Sequence, residues 1–252
     1  MNLYTLYLDV LLKLKNNSTI TRTELIMLLN GLKIVNKSTI ENFINKSQSE
    51  RIILPINKSI FWKTQKANFD DVALTKDDIK LYKFLSKNFP NINFTIWNTK
   101  FFNDFIEHTI PYSNTIIETD KDILEDAYHS IDNFKNIILL NPSKQECEKY
   151  MYLKNIIILK KEIKNMPTMI LKNKIRVPKL EKILVDLFSE KAILQQYQGN
   201  EMVNIYNAIF EKYVINMTTL LRYSKNRGCK EQIISYIKNN ISFPKQYKEV
   251  LK

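Results

Sequence analysis

Glycine is almost missing from this 252-residue sequence: Gly31, Gly199 and Gly228 are all it has. Three isolated glycines cannot build a phosphate-cradling loop or a dinucleotide fingerprint, which need backbone with no Cβ close to the phosphates. Histidine and cysteine are as scarce. His108 and His129 lack metal-ligand spacing and neither Cys147 nor Cys229 has a paired neighbour, so no zinc site is expected. Two unpaired thiols fit a reducing compartment. Nucleophile signatures of the Gly-x-Ser-x-Gly or Cys/His kind are missing too. No cofactor is expected. No run approaches the ~20 apolar residues of a membrane span. The apolar start, MNLYTLYLDVLLKLK, is broken by Asp9 and has no basic lead or cleavage site. It reads as a helix, and the protein as cytoplasmic with no membrane partner.

What is present is a folding chain with uneven charge. Hydrophobic residues make up 44%, with 13 Phe and 13 Tyr, enough to bury a core. Residues 1–66 hold 10 Lys/Arg against 4 Asp/Glu (+6), residues 67–134 hold 6 against 12 (−6), and residues 135–252 hold 22 against 10 (+12). A Lys-rich genome would explain the lysines but not the acidic middle. A basic head followed by an acidic segment implies two modules with different partners, the head facing a polyanion.

The head predicts three helices and a hairpin. Leu3, Leu6, Tyr7, Val10, Leu11 and Leu14 share one side of a helix running to Lys15. Thr21-Arg-Thr-Glu24 has capping-box spacing and opens a second helix, which Gly31 can end. Ser38-Thr-Ile-Glu41 repeats the spacing before a third, buried through Ile40, Phe43 and Ile44. Short β-rich runs at Ile52–Leu54 and Ile60–Trp62 flank a turn. This is the pattern of a winged helix-turn-helix over residues 1–66. The outer face of the third helix would offer Thr39, Asn42, Asn45 and Lys46 to DNA, with Arg22, Arg51 and Lys58 as phosphate contacts. A solvated helix face could carry any one of these; the face as a whole reads as DNA-facing.

Residues 67–75 read as a polar, acidic linker. From residue 76 helices and strands alternate: helix at 77–88, β-type run at 93–97, helix at 100–108, strand at 115–118, helix at 120–134, strand at 137–140, helix at 143–152, strand at 156–159 and a short strand near 169–171. The expected class is therefore mixed α/β, with an α/β domain over 76–252 whose C-terminal part is helical. The densest signal is 177–199, VPKLEKILVDLFSEKAILQQYQG. Pro178 would occupy the first turn of a helix. Leu180, Ile183, Leu184, Leu187 and Phe188 would form its apolar stripe, with Glu181, Lys182, Asp186 and Glu190 on the opposite face. Asp186 is expected to pair with Lys182 one turn back. Asn216 would cap a later helix and Gly228 would end it.

One enzymatic alternative stands. Glu162 and Lys164 follow a predicted strand, and Glu118 or Asp120 follows an earlier one. If they converged, they could hold Mg²⁺ and orient water, making a metal-dependent nuclease targeted by the winged helix. The preferred reading is non-catalytic. The basic run RYSKNRGCK places Arg222, Lys225, Arg227 and Lys230 around Cys229. It offers a second basic surface for an acidic protein or for DNA, or simply a solvated face, and Cys229 reads as an inert thiol beside it.

The stretches VPKLEKILVDLFSEKAILQQYQGNE and FEKYVINMTTLLRYSKNRG, with FTIWNTKFFNDFIEH and ILLNPS upstream, resemble the AbiEi-like antitoxins of type IV, abortive-infection toxin–antitoxin systems. The resemblance covers about residues 75–240; the N-terminal segment agrees only in layout. Many relatives run from Pro to Glu directly, whereas Lys179 and Leu180 stand between Pro178 and Glu181 here, the mark of a divergent branch. The resemblance implies a phage-defence antitoxin whose winged helix represses its own operon by binding upstream operator DNA. Its C-terminal domain would counteract a nucleotidyltransferase-fold toxin encoded alongside.

Overall fold

The computed structural model describes residues 3–16, 18–32, 36–50, 52–63, 69, 72–132, 134, 136–154, 156–242 and 247. It divides into two compact units, residues 1–68 with 210–219 and 242–252, and residues 69–209 with 220–241. The first unit thus contains the expected 1–66 head, but it also takes two segments assigned to the second domain by sequence.

In the first unit the order is α1 (Leu3–Lys13), β1 (Ser18–Thr21), α2 (Arg22–Leu32), α3 (Lys37–Ser49), β2 (Leu54–Pro55) and β3 (Ile60–Lys63). The strands form one antiparallel sheet in the order β1-β3-β2. Three helices with a small sheet in this connectivity are a winged helix-turn-helix. Strand β1 has no counterpart among the expected elements, because four residues of Ser and Thr around one Ile carry little pattern. Its end leads straight into the Thr21 capping box, where Glu24 N–H donates to Thr21 Oγ1 (3.2 Å) and Thr21 N–H to Glu24 (2.8 Å). Gly31 does not end α2, which runs through it to Leu32; Gly199 and Gly228 are the glycines with positive φ. Tyr7, Leu11, Leu25, Leu29, Ile40, Phe43, Ile44 and Phe61 fill the core. Lys63 Nζ donates to the carbonyls of Leu12 (2.6 Å) and Leu14 (2.5 Å), satisfying the end of α1. The later segments join this unit through specific bonds: Met217 N–H donates to Ile56 (2.8 Å), and Ile215 N–H to the Tyr247 hydroxyl (2.7 Å).

The second unit is mixed α/β, as expected. Helix α4 (Lys76–Asn88) opens on a Thr75–Asp78 capping box, then come β4 (Thr95–Asn98), β5 (Asn114–Thr119), α5 (Leu124–Ser130), β6 (Ile137–Leu140), α6 (Lys144–Tyr150) and β7 (Ile156–Lys161). The sheet order is β4-β5-β7-β6, with β4 antiparallel and the other three parallel. The helix expected at 100–108 is a short 3₁₀ stretch, Thr99–Asp104, and that at 120–134 is a 3₁₀ turn leading into α5. A hairpin of β8 (Thr168–Ile170) and β9 (Arg176–Pro178) precedes α7 (Leu180–Ser189). Helices α8 (Asn200–Lys212) and α9 (Met217–Asn226) follow; residues 200–209 and 220–226 of them belong to this unit and the remainder to the first. Asn216 caps α9, accepting from Thr219 N–H (3.0 Å), and Gly228 turns the chain into α10 (Lys230–Asn240). Among the described residues no helix is long and apolar enough to cross a membrane.

One expectation for α7 needs correction. Pro178 is not in its first turn but ends β9, opposite Thr168; its missing N–H is harmless at a strand terminus, and Lys179 is the N-cap. The polar face is buried along with the apolar stripe. Eight of its ten residues are buried, Glu181, Lys182 and Asp186 among them.

Candidate nucleic-acid interface and buried ion cluster

The surface of the first unit is built on α3. Asn36 is its N-cap, accepting from Thr39 N–H (2.9 Å) and Thr39 Oγ1 (2.7 Å). The expected Ser38–Glu41 box is therefore not made. Ser38 donates to Asn36 instead (2.8 Å), and Glu41 is paired with Arg22. With Ile40, Phe43, Ile44 and Ser47 buried, Asn42, Asn45 and Lys46 come together on the exposed side of α3. Thr39 stands half-buried at the helix start, its hydroxyl spent on the cap. Lys58 is exposed at the hairpin tip, where Asn57 Oδ1 accepts from Ser59 and Ile60 N–H (both 2.7 Å) and fixes the turn. Arg22 is less free than sequence suggested, since Glu41 holds its guanidinium over the Phe61 ring, 5.9 Å from the centroid. Arg51 lies outside the described residues.

Lys46 is also engaged. Its ammonium lies 3.7 Å from the centroid of the Tyr4 ring and 3.7 Å from Glu50 one turn on, while the Tyr4 hydroxyl donates to Glu50. That hydrogen bond, with burial and the carboxylate charge behind it, pushes the Tyr4 phenol up to about 12. The Lys46–Glu50 spacing was visible in sequence; the third partner from α1 was not.

The second unit holds a buried ion cluster. Glu118 on β5 and Lys160 on β7 are register partners in neighbouring parallel strands, so they share one face of the sheet (3.9 Å). Helix α7 brings Lys182, which lies 2.5 Å from both Glu118 and Asp186. Tyr223 of α9 donates to Asp186 (3.0 Å). Glu190 then bonds Lys160 (2.5 Å) and Arg227 (2.7 Å), and Arg227 also donates to Ser189 (2.9 Å). Three cations meet three carboxylates, so the cluster is formally neutral. Burial works against the Lys182 charge, but Asp186 and Glu118 outweigh it and lift its pKa to about 12. Burial likewise opposes the carboxylates, yet Lys182, Lys160 and Arg227 hold Asp186 below its ordinary value, and Lys160 and Arg227 do the same for Glu190.

The carboxylates of the nuclease alternative are each engaged by other partners. Glu118 faces Lys182 in the interior, Asp120 caps a 3₁₀ turn by accepting from Asp122 N–H (3.3 Å), and Glu162 pairs with Arg176 (3.1 Å). Lys164 is exposed. Among the described residues no three His, Cys, Asp or Glu side chains are placed to hold a metal ion. The basic run is divided as well: Arg222 and Lys225 are exposed and Lys230 is half-buried, but Arg227 belongs to the ion cluster. Burial pushes the Cys229 thiol up, more than Arg227 lowers it.

No curated protein and no solved structure matches the chain. A family of unknown function, DUF6577, matches residues 39–242, from the first turn of α3 to just past α10, and the chain belongs to that family.

Proposed function

We propose that the chain is a cytoplasmic DNA-binding autorepressor and antitoxin. Its first unit reads operator DNA upstream of its own gene, and its second counteracts a nucleotidyltransferase-fold toxin of the same operon. One observation carries the DNA-binding half: the winged-helix connectivity leaves Asn42, Asn45 and Lys46 exposed on the outer side of α3, with Lys58 at the wing tip. An asparagine offers a donor and an acceptor together, which suits the edge of adenine, while lysines suit phosphates. The basic charge of residues 1–66 favours the same partner. The antitoxin half rests on the resemblance in the second unit. A non-catalytic second unit is supported by its ion cluster, which fills the carboxyl ends of β5 and β7 with ions already paired to one another.

The test uses the whole chain, because residues 210–219 and 242–252 belong to the first unit. Binding to DNA from upstream of the gene is compared with binding to random DNA at 50 and 200 mM salt, with Mg²⁺ present. The wild type should prefer the upstream DNA. The double variant Asn42→Ala/Asn45→Ala should lose roughly 10- to 100-fold of that preference and keep its random-sequence binding. Lys58→Ala should weaken both about equally. No preference by the wild type would refute the repressor reading, and shortened fragments would favour the nuclease. For the antitoxin half, co-expression should rescue growth of cells carrying the neighbouring gene; failure to rescue would refute it.

A further inference from the structure

The DNA-facing side of α3 carries a carboxylate that has no place in a phosphate-binding surface unless it has a task there. Glu50, the C-cap of α3, is 41% exposed and lies within a turn of Lys46, which is 53% exposed. An ordinary exposed pair at this spacing is weak and opens readily. This one is reinforced from α1: the Tyr4 ring lies beneath the ammonium, its hydroxyl donates to Glu50, and its ring edge packs on Phe43 in the core (5.5 Å). Lys46 is thus held between a π-face and a carboxylate, both anchored to the helix pair. Arg22 is held in the same manner, between Glu41 and the Phe61 ring.

We propose, building on the DNA-binding reading above, that Glu50 is an affinity-limiting residue of the interface. It competes with DNA phosphate for Lys46, with Tyr4 holding it in position to do so. Together Lys46 and Glu50 present no net charge to the duplex, so this stretch of α3 adds nothing to the sequence-independent attraction and leaves more of the discrimination to Asn42 and Asn45. A repressor with a strongly basic chain (+12) otherwise risks being held on DNA of any sequence.

The experiment measures full-length wild type, Glu50→Gln, Lys46→Ala and the double variant on random and upstream DNA from 50 mM to 1 M salt. Circular dichroism and thermal unfolding verify that each is folded. Freeing Lys46 adds about one neutralised phosphate. Glu50→Gln should therefore steepen the log–log salt slope by about 0.9 and tighten random-sequence binding about tenfold at 50 mM, with the gain vanishing near 1 M. The gain should be lost when Lys46→Ala is added, which a general charge effect of Glu50 would not require. Tyr4→Phe, which keeps the ring and removes the hydroxyl, should move binding in the same direction by a smaller factor. An unchanged slope in Glu50→Gln, or a gain that survives Lys46→Ala, overturns the proposal while leaving DNA binding intact. If wild type binds neither DNA at 50 mM salt, the DNA-binding reading itself has failed.

Discussion

Lys182→Met should unfold the second unit far more readily than its place on a helix surface pattern would suggest. Methionine nearly matches lysine in length, so packing is kept and only the ammonium is lost. What remains is Glu118 and Asp186, fully buried and 2% exposed, deprived of a cation 2.5 Å from each. Lys160 sits 3.9 Å from Glu118 and Tyr223 still donates to Asp186, so some compensation survives. Removing one partner of a buried pair costs about 3–5 kcal/mol, which for a chain of this size lowers the melting temperature by about 6–20 °C. Trp97 lies in β4 of the second unit and Trp62 in β3 of the first. In a Trp62→Phe background, tryptophan fluorescence during urea unfolding therefore reports the second unit. The double variant Lys182→Met/Asp186→Asn should recover at least half the loss, because it leaves Lys160 and Arg227 balanced by Glu118 and Glu190. A single-variant loss below about 1 kcal/mol, or a double variant less stable than the single, would refute the reasoning.

Two further outcomes follow from the same cluster. Asp186 and Glu190 are held below their ordinary pKa values, so their stabilisation is present above those values and lost as pH falls through the native ones; Lys182, raised to about 12, stabilises fully below 10.5 and loses that contribution as pH rises through about 12. Urea midpoints of the second unit should therefore hold level from about pH 5 to 10 and fall on either side, and a midpoint that rises between pH 5 and 3 would contradict this. Cys147 is buried and both thiols are pushed up by burial, so a disulfide reagent at pH 7 should label Cys229 slowly and Cys147 only on unfolding. Fast labelling of either in the native protein would count against the packing described.

Sequence pattern located most of the elements because their cores obey simple periods. Ile40, Phe43 and Ile44 fall on the inner side of α3, and β6 begins and ends where its run of Ile and Leu does. The expectations fail where a residue is used for something its period does not encode. Pro178 reads as the first turn of α7, but it and Val177 belong to the β9 strand and the helix begins at Leu180. Asn36 takes the cap that the Ser38–Glu41 spacing predicts, and Glu41 pairs with Arg22, 19 residues away in sequence. Pairing between distant residues leaves no mark in a local window. The candidate interface was legible in Asn42, Asn45, Lys46 and Lys58, and illegible in Tyr4, which reaches α3 from another helix.

Lys46–Glu50 and Lys182–Asp186 make the point most sharply, because in sequence they are the same signal: a lysine and a carboxylate four residues apart on a helix. On α3 both members face water, where such a pair alone contributes about 0.3–0.5 kcal/mol, and here the Tyr4 ring and hydroxyl reinforce it. On α7 both are buried, with Glu118 and Tyr223 completing the set, and opening the pair would strand ions without water. One spacing therefore serves two ends. The exposed pair faces solvent and is steadied by Tyr4, so on the DNA-binding reading it sets how much of the Lys46 charge a phosphate meets. The buried pair is too expensive to break, which fixes α7 against β5 and α9.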